Sequence, residues 1–190
     1  MVNSKKDLKE CLRIEIFSTY GRWTIKDRLF PPPSFQFIKC LRNFEYHYNS
    51  KGLLHRFLLL ISYFRYYRIS RSSGITIPKN TCGKGLTLYH SGSIVVNQAA
   101  IIGKNCCIMN NVNIGANQGS DKAPRIGDNV YIGPGAVIFG DISIADGCYI
   151  GANAVVNKSV LNPNSVVVGI PAKIIKEDPI HWWEKNNLKR

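Results

Sequence analysis

The sequence predicts a mainly β protein, a solenoid of short strands and tight corners preceded by a short α-helical N-terminal region. Isoleucine or valine recurs at every sixth position through Ile126, Ile132, Ile138, Ile144, Ile150 and Val156, and the same series runs upstream at Val96, Ile102, Ile108 and Ile114. Four residues after most of these sits a second apolar residue: Ala100, Cys106, Val112, Val130, Ala136, Ile142, Cys148 and Ala154. Gly127, Gly133 and Gly151 follow the aliphatic directly, and Asp128-Asn129, Asp146-Gly147 and Asn153 stand where corners are needed. A helix repeats at about 3.6 residues and a flat strand at about 2, so this period fits neither. It fits stacked turns of chain in which each side sends one aliphatic inward. Gly, Asn and Asp then supply the unusual φ angles of the corners.

The chain divides into three regions. Residues 1–73 read as helical and aromatic-rich: Leu8, Cys11, Leu12 and Ile16 fall at helical spacing between Lys5 and Phe17, and Pro31-Pro32-Pro33 breaks the chain after them. Ser34 is the expected N-cap of a helix through Tyr48 that carries Phe37, Ile38, Leu41, Phe44 and Tyr48. After a turn at Asn49 to Gly52, a third helix from Leu53 to Ile69 is apolar on most faces and studded with Arg56, Arg65 and Arg68, with Arg71 just beyond. It either packs against its neighbours or across a subunit interface, or lies on a membrane surface. Residues 74–170 are the solenoid. Residues 171–190 are a tail whose Pro179-Ile180-His181-Trp182-Trp183 is expected to dock on a neighbouring surface.

A chain of 190 residues buries a core as one domain, or one domain plus an appendage. The six cysteines show no CxxC spacing, and Cys82, Cys106 and Cys148 stand where the repeat wants a small apolar residue. They read as reduced core or corner residues of a cytosolic protein. The charged first residues are no signal peptide. The apolar run from Phe57 to Phe64 is far too short to span a bilayer. The expected location is therefore the cytoplasm, the inner face of the membrane included. Of the net charge of +13, residues 1–73 hold 14 Lys/Arg against 5 Asp/Glu. No nucleic-acid motif accompanies this excess, so nucleic acid is not the expected partner. A phosphorylated ligand, or an anionic membrane touched by the basic N-terminal helices, accounts for it at least as well.

Two irregularities interrupt the repeat, and irregularities in a rigid scaffold are where chemistry tends to sit. Between Leu88 and Val96 the phase jumps by two residues, which makes a bulge containing His90. From Gly115 to Arg125 inward aliphatics are missing, and the stretch should be extruded as a loop in place of two six-residue rungs. His90 is the only histidine within the repeats. Alone it cannot make a three-ligand zinc site, so no metal is expected. An imidazole titrates near ~6.5 and is largely neutral at cell pH, as a general base must be.

The six-residue repeat resembles the bacterial hexapeptide-repeat acyltransferases, which implies a left-handed parallel β-helix assembled as a homotrimer with active sites between subunits. Residues 74–175 are similar to the serine acetyltransferase branch of that superfamily. The matching segments are Leu88-Tyr89-His90, Ile94-Val95-Val96, Val112-Asn113-Ile114-Gly115, Pro124-Arg125-Ile126-Gly127-Asp128-Asn129-Val130-Tyr131-Ile132-Gly133 and Val168-Gly169-Ile170-Pro171-Ala172-Lys173. The resemblance implies acetyl-CoA as co-substrate, with no metal, and His90 as catalytic base. It implies an oxyanion site at Gly115 and Ala116, and a cofactor cleft along Gly133, Pro134, Gly151 and Ala152 with Lys158 and Lys173 meeting the phosphates. Asn97 and Asn110 either contact the acceptor or steer His90, or fill corners as buried Asn commonly does.

The resemblance is incomplete on the acceptor side. Where serine acetyltransferases orient the histidine with an aspartate, this chain has Ile75; Tyr89 replaces a second aspartate and Ala123 a second histidine. The His90-x-Gly92-x-Ile94-Val95-Val96-Asn97 pattern, the Asp121-Lys122-Ala123-Pro124 loop and the short basic N-terminal region look more like the relatives in capsule, lipopolysaccharide and exopolysaccharide pathways. The expected function is acetyl transfer to a sugar hydroxyl of a surface polysaccharide, the glycan acceptor free or lipid-linked. The alternatives are a serine O-acetyltransferase of cysteine biosynthesis and a non-catalytic trimeric scaffold.

Overall fold

The computed structural model describes residues 2–21 and 24–177, so the expected docking of Pro179 to Trp183 lies outside the described residues. Four helices come first. In α1 (Lys5–Tyr20) the Ser4 side chain accepts from the Asp7 N–H and Gly21 closes the C-terminus at φ 65°. The short α2 (Ile25–Leu29) was not expected; Thr24 and Asp27 form a capping box around its first turn. In α3 (Pro33–Asn49) the N-cap is Pro32, with Pro33 in the first turn. Ser34, expected to be the cap, lies inside that turn and is buried. Proline is suited to this place because its missing N–H would have had no helical partner. In α4 (Leu53–Ser73) the helix runs to Ser73 rather than Ile69 and ends on Gly74 in the left-handed conformation, φ 70°.

The remaining described residues form a parallel β coil with three faces. The first face stacks β1 (Ile75–Thr76), β2 (Ile94–Val96), β5 (Asn113–Gly115), β8 (Val137–Phe139) and β11 (Val155–Val156). The second stacks β3 (Ile101–Ile102), β6 (Arg125–Ile126) and β9 (Ser143–Ile144). The third stacks β4 (Cys107–Ile108), β7 (Tyr131–Ile132), β10 (Tyr149–Ile150) and β12 (Ser165–Gly169), with β13 (Ala172–Glu177) returning antiparallel to β12. The chain visits the three faces in turn, so each strand pairs with the strand one coil away. Residue 171, the expected start of the tail, sits in the tip of the β12–β13 hairpin, so the tail's first residues form β13.

Every aliphatic of the six-residue series is buried, from Val96 to Val156. Stacking is in register: Ile108, Ile132, Ile150 and Val167 lie above one another on the third face, and Val96, Ile114, Ile138 and Val156 on the first. Each such side chain contributes about 1.5–3 kcal/mol by leaving water. The second apolar series fills the corners, where the preceding Asn105, Asn129 and Asn153 adopt φ near 54°, 58° and 55°. Coils approach so closely there that a Cβ on Gly83 would stand 2.7 Å from the carbonyl oxygen of Gly103.

The helices close the first coil. Arg42 of α3 is buried and uses all five of its N–H donors. They reach Glu15 of α1, Glu45 one turn along α3, and the carbonyls of Cys82 and Gly83 in the coil. Glu45 in turn accepts from the Asn80 N–H at 2.8 Å. Phe37, Ile38 and Leu41 join the same apolar core as the first-coil residues Ile75, Ile77 and Leu88.

Candidate active site

His90 sits at one corner of the coil, between the third and first faces. Leu88 to Val96 spans eight residues where the next coil, Ile108 to Ile114, takes six. The two extra residues bulge outward, and backbone bonds fix the bulge to the end of α4. Gly92 N–H donates to the Ser73 carbonyl at 2.9 Å, and Ile94 N–H to the Gly74 carbonyl at 3.1 Å. Gly92 holds φ 142°, which only glycine adopts without strain, so the bulge is shaped by sequence as well as by pinning. The imidazole is exposed and makes no hydrogen bond or ion pair to any described residue.

Below His90 the same corner carries a column of small residues. Gly92 stacks on Asn110, whose carbonyl accepts from Gly135 N–H at 3.0 Å, and the Pro134 carbonyl accepts from Asn153 N–H at 2.9 Å. Gly133-Pro134 and Gly151-Ala152 therefore lie one above the other beneath Asn110. Lys173 is exposed on β13, opposite Val168 of the next strand down. At about 4.8 Å per strand the column from His90 to Val168 is roughly 19 Å long. The glycines in it are required by stacking: a Cβ on Gly133 would stand 2.8 Å from Ala152 N, and one on Gly151 would stand 2.7 Å from Val168 Cγ1. Their presence alone therefore says nothing about a ligand.

Asn97, Gly115, Ala116 and Lys158 lie across the first face, at its other edge. The Asn97 Oδ1 accepts from Ala99 N–H at 2.9 Å, a local turn that engages the side chain, and β2 separates it from His90. Gly115 ends β5, and its carbonyl accepts from Gly140 N–H at 3.1 Å. The Ala116 N–H donates to no described residue. The loop that follows takes twelve residues from Ile114 to Ile126, where Val96 to Ile102 takes six, so it replaces one side of a coil by two sides' length of chain. Lys122 anchors it to Asp141 at 2.7 Å, and that carboxylate holds the ammonium above its ordinary range.

Ile75 is fully buried, paired with Ile94 in the core; Ala123 is also buried, and Tyr89 is half-buried. No carboxylate stands against His90 among the described residues. Sequence reasoning missed the contribution of Ser73, Gly74 and Gly92 to positioning the bulge. The available signal was two glycines, one ending a helix and one two residues after the histidine.

The family described as bacterial transferase hexapeptide (six repeats) matches residues 123–158. Serine acetyltransferase 1, chloroplastic, of Arabidopsis thaliana is 44% identical over 117 residues, which are 59% of this chain and 37% of that protein. The structure also superposes on a solved serine O-acetyltransferase of Brucella melitensis, a bacterial transferase hexapeptide repeat protein. The TM-score is 0.73 with 30% identity, over 90% of this chain and 71% of that one. A serine acetyltransferase of Brucella abortus strain S19 in complex with coenzyme A matches with TM-score 0.73 and 28% identity, over 91% of this chain and 69% of that one. The chain spans between 30% and 43% of the length of the curated relatives it matches.

These likenesses correct the expected sugar acceptor: the curated relatives at 35–44% identity are serine acetyltransferases, not polysaccharide-modifying enzymes. The physical reason is burial. Ile75 and Ala123 are packed under the surface, so their apolar character reports packing and not the class of acceptor. The match to a serine O-acetyltransferase covers 90% of the chain and so includes most of the basic N-terminal helices, which are therefore no mark of polysaccharide relatives.

Proposed function

The chain belongs to the hexapeptide-repeat acetyltransferase family, and on that premise we propose that it transfers acetyl from acetyl-CoA to the hydroxyl of serine, with His90 as general base. The observation that carries this reading is the corner column: an exposed histidine pinned in a bulge heads a stack of small residues, on a chain that superposes on serine acetyltransferases nearly from end to end. The coil is a left-handed parallel β-helix that follows the helical region of residues 1–73, and β13 carries the described chain on to Glu177.

Chemically, an alcohol at neutral pH is a poor nucleophile toward a thioester. His90 takes the hydroxyl proton as the oxygen attacks the acetyl carbonyl, help worth about 10²–10⁴ in rate. Backbone N–H groups at Gly115 and Ala116 receive the developing oxyanion, a role worth about 3–4 kcal/mol. The carbon–sulfur bond then breaks, and the proton passes from His90 to the departing thiolate. The products are the O-acetyl ester and free CoA. Pantetheine lies along Pro134 and Ala152, the phosphates meet Lys158 and Lys173, and Asn110 faces the acceptor.

His90 and the Gly115–Ala116 donors stand at opposite edges of one three-residue face, roughly 10 Å apart along the strand. One copy therefore does not hold both against one carbonyl. A homotrimer that sets the His90 edge of one copy against the Gly115 edge of the next completes the site. Six free thiols suit a reducing compartment, which fits the cytoplasm.

The test is thiol release from acetyl-CoA with L-serine, run alongside light scattering. Serine-dependent release by a particle of three chains is the expected result. Absence of serine-dependent release would overturn the acceptor, and an active monomer would overturn the shared site.

A further inference from the structure

We propose that α4 is a membrane-surface element: its outward face lies on a bilayer containing anionic lipid, with the apolar side chains among the acyl chains and the arginines among the headgroups. Leu53, Phe57, Leu60 and Phe64 are 82%, 64%, 55% and 57% exposed and follow one another at helical spacing along a single stripe. Leu54 and Ile61 widen the stripe on one side, and Tyr63 and Tyr67 border it on the other. The helix buries only Ser62, Tyr66 and Ser73 against the rest of the chain. Contiguous apolar surface of this kind marks an interaction site.

Charge decides what covers it. Arg56, Arg65, Arg68 and Arg71 are all exposed on the same helix, and the sequence contains no Asp or Glu between Glu45 and Asp121. A second α4 laid against the first would bring arginines together with no carboxylate from either helix to offset them. Nucleic acid would meet the arginines and leave the phenylalanines in water. An anionic bilayer satisfies both, which is the composition of interfacial helices. A groove of about 260 Å³ beside the stripe, between α3 and α4, supports this. It is lined by Lys39, Asn43, His47, Ile61 and Arg65, and is basic where a lipid phosphate would enter. Tyrosines at the border suit the headgroup level. No described helix is long and apolar enough to cross a membrane, so the contact is one of lying on the surface.

The experiment is flotation of the full chain with vesicles of phosphatidylcholine alone and of phosphatidylcholine mixed with phosphatidylglycerol. Binding to the mixed vesicles, weakened by salt, is expected. The R65Q/R68Q pair should lower the partition coefficient by roughly tenfold or more, at about 1 kcal/mol per basic residue near the surface. The exposed triple F57S/L60S/F64S should abolish flotation while circular dichroism and molecular mass stay unchanged. Equal flotation with both vesicle types, or none, overturns the proposal. So does a triple variant that floats normally but has a smaller mass, which would assign the stripe to a second copy. Binding to polyglutamate without binding to vesicles would assign it to an acidic protein and equally overturn the proposal.

Discussion

Gly92 donates its backbone N–H to the carbonyl of Ser73 at 2.9 Å, so the bulge that carries His90 is tied to the last residue of α4. A Cβ on Gly74, the next residue, would stand 3.3 Å from the Gly92 carbonyl carbon, so the two glycines pack back to back. The helical region and the corner that carries His90 are thereby one mechanical unit.

Replacing Gly92 tests that unit. At φ 142° an alanine is strained by about 1–3 kcal/mol, and the bulge relieves the strain by shifting. G92A should lower kcat at least tenfold while melting falls only modestly. Unchanged kcat would show that the bulge geometry is not what places His90.

Arg42 joins both helices to the first coil. Burial works against its charge, yet the carboxylates of Glu15 and Glu45 hold its pKa well above the ordinary arginine value. Glu15 is itself pushed upward by burial, with Arg42 pulling against that shift. Removing the guanidinium in R42M leaves two buried carboxyls uncompensated and should cost about 3–5 kcal/mol. The pH dependence has a definite sign. A carboxyl whose folded pKa is above its unfolded value binds protons more tightly when folded, so stability is lost as pH rises from the unfolded value through the folded one. R42M should therefore lose stability more steeply than the parent as pH rises above about 4.3, the ordinary glutamate value. Urea titrations across that range give the slope; parallel curves would contradict this account of the cluster.

The coil interior was legible in the sequence because one side chain per side must point inward, and that requirement writes a period. Ile102, Ile126 and Ile144 report it directly: all three are buried and paired in register on the second face. The loop before Arg125 and the bulge at His90 were legible as breaks in that period. Positions that obey no period were not. Ser34 has the chemistry of a cap but lies inside a turn that proline begins. Ile75 occupies an aligned polar position yet points into the core. Its meaning depends on burial, which alignment of letters does not contain.

I138A should destabilise the coil by about 2–5 kcal/mol, because Ile138 is fully buried between Ile114 and Val156 and neighbouring coils cannot collapse into the space. Chemical denaturation measures this. A loss below about half a kcal/mol would place the side chain elsewhere.

Thiol chemistry reads the same core. Burial pushes the thiols of Cys11, Cys82 and Cys107 up to about 12, and that of Cys106 further. Since the thiolate is the reactive form, these four should resist alkylation of the native protein and react only on unfolding. Half-buried Cys40 is raised as well but is more accessible, and it should be labelled first. Peptide mapping after brief alkylation gives the order; early labelling of Cys107 would contradict the packing of the third face.

The central claim is that His90 is the base of an acetyl transfer. The most direct measurement is turnover of H90A with acetyl-CoA and L-serine, paired with calorimetric titration of acetyl-CoA. The column proposed to hold acetyl-CoA lies below the imidazole, so affinity for acetyl-CoA should stay close to that of the parent. Turnover should fall by about 10²–10⁴, the usual worth of a positioned base. An H90A protein that binds acetyl-CoA and turns over serine at nearly the parental rate would contradict the claim.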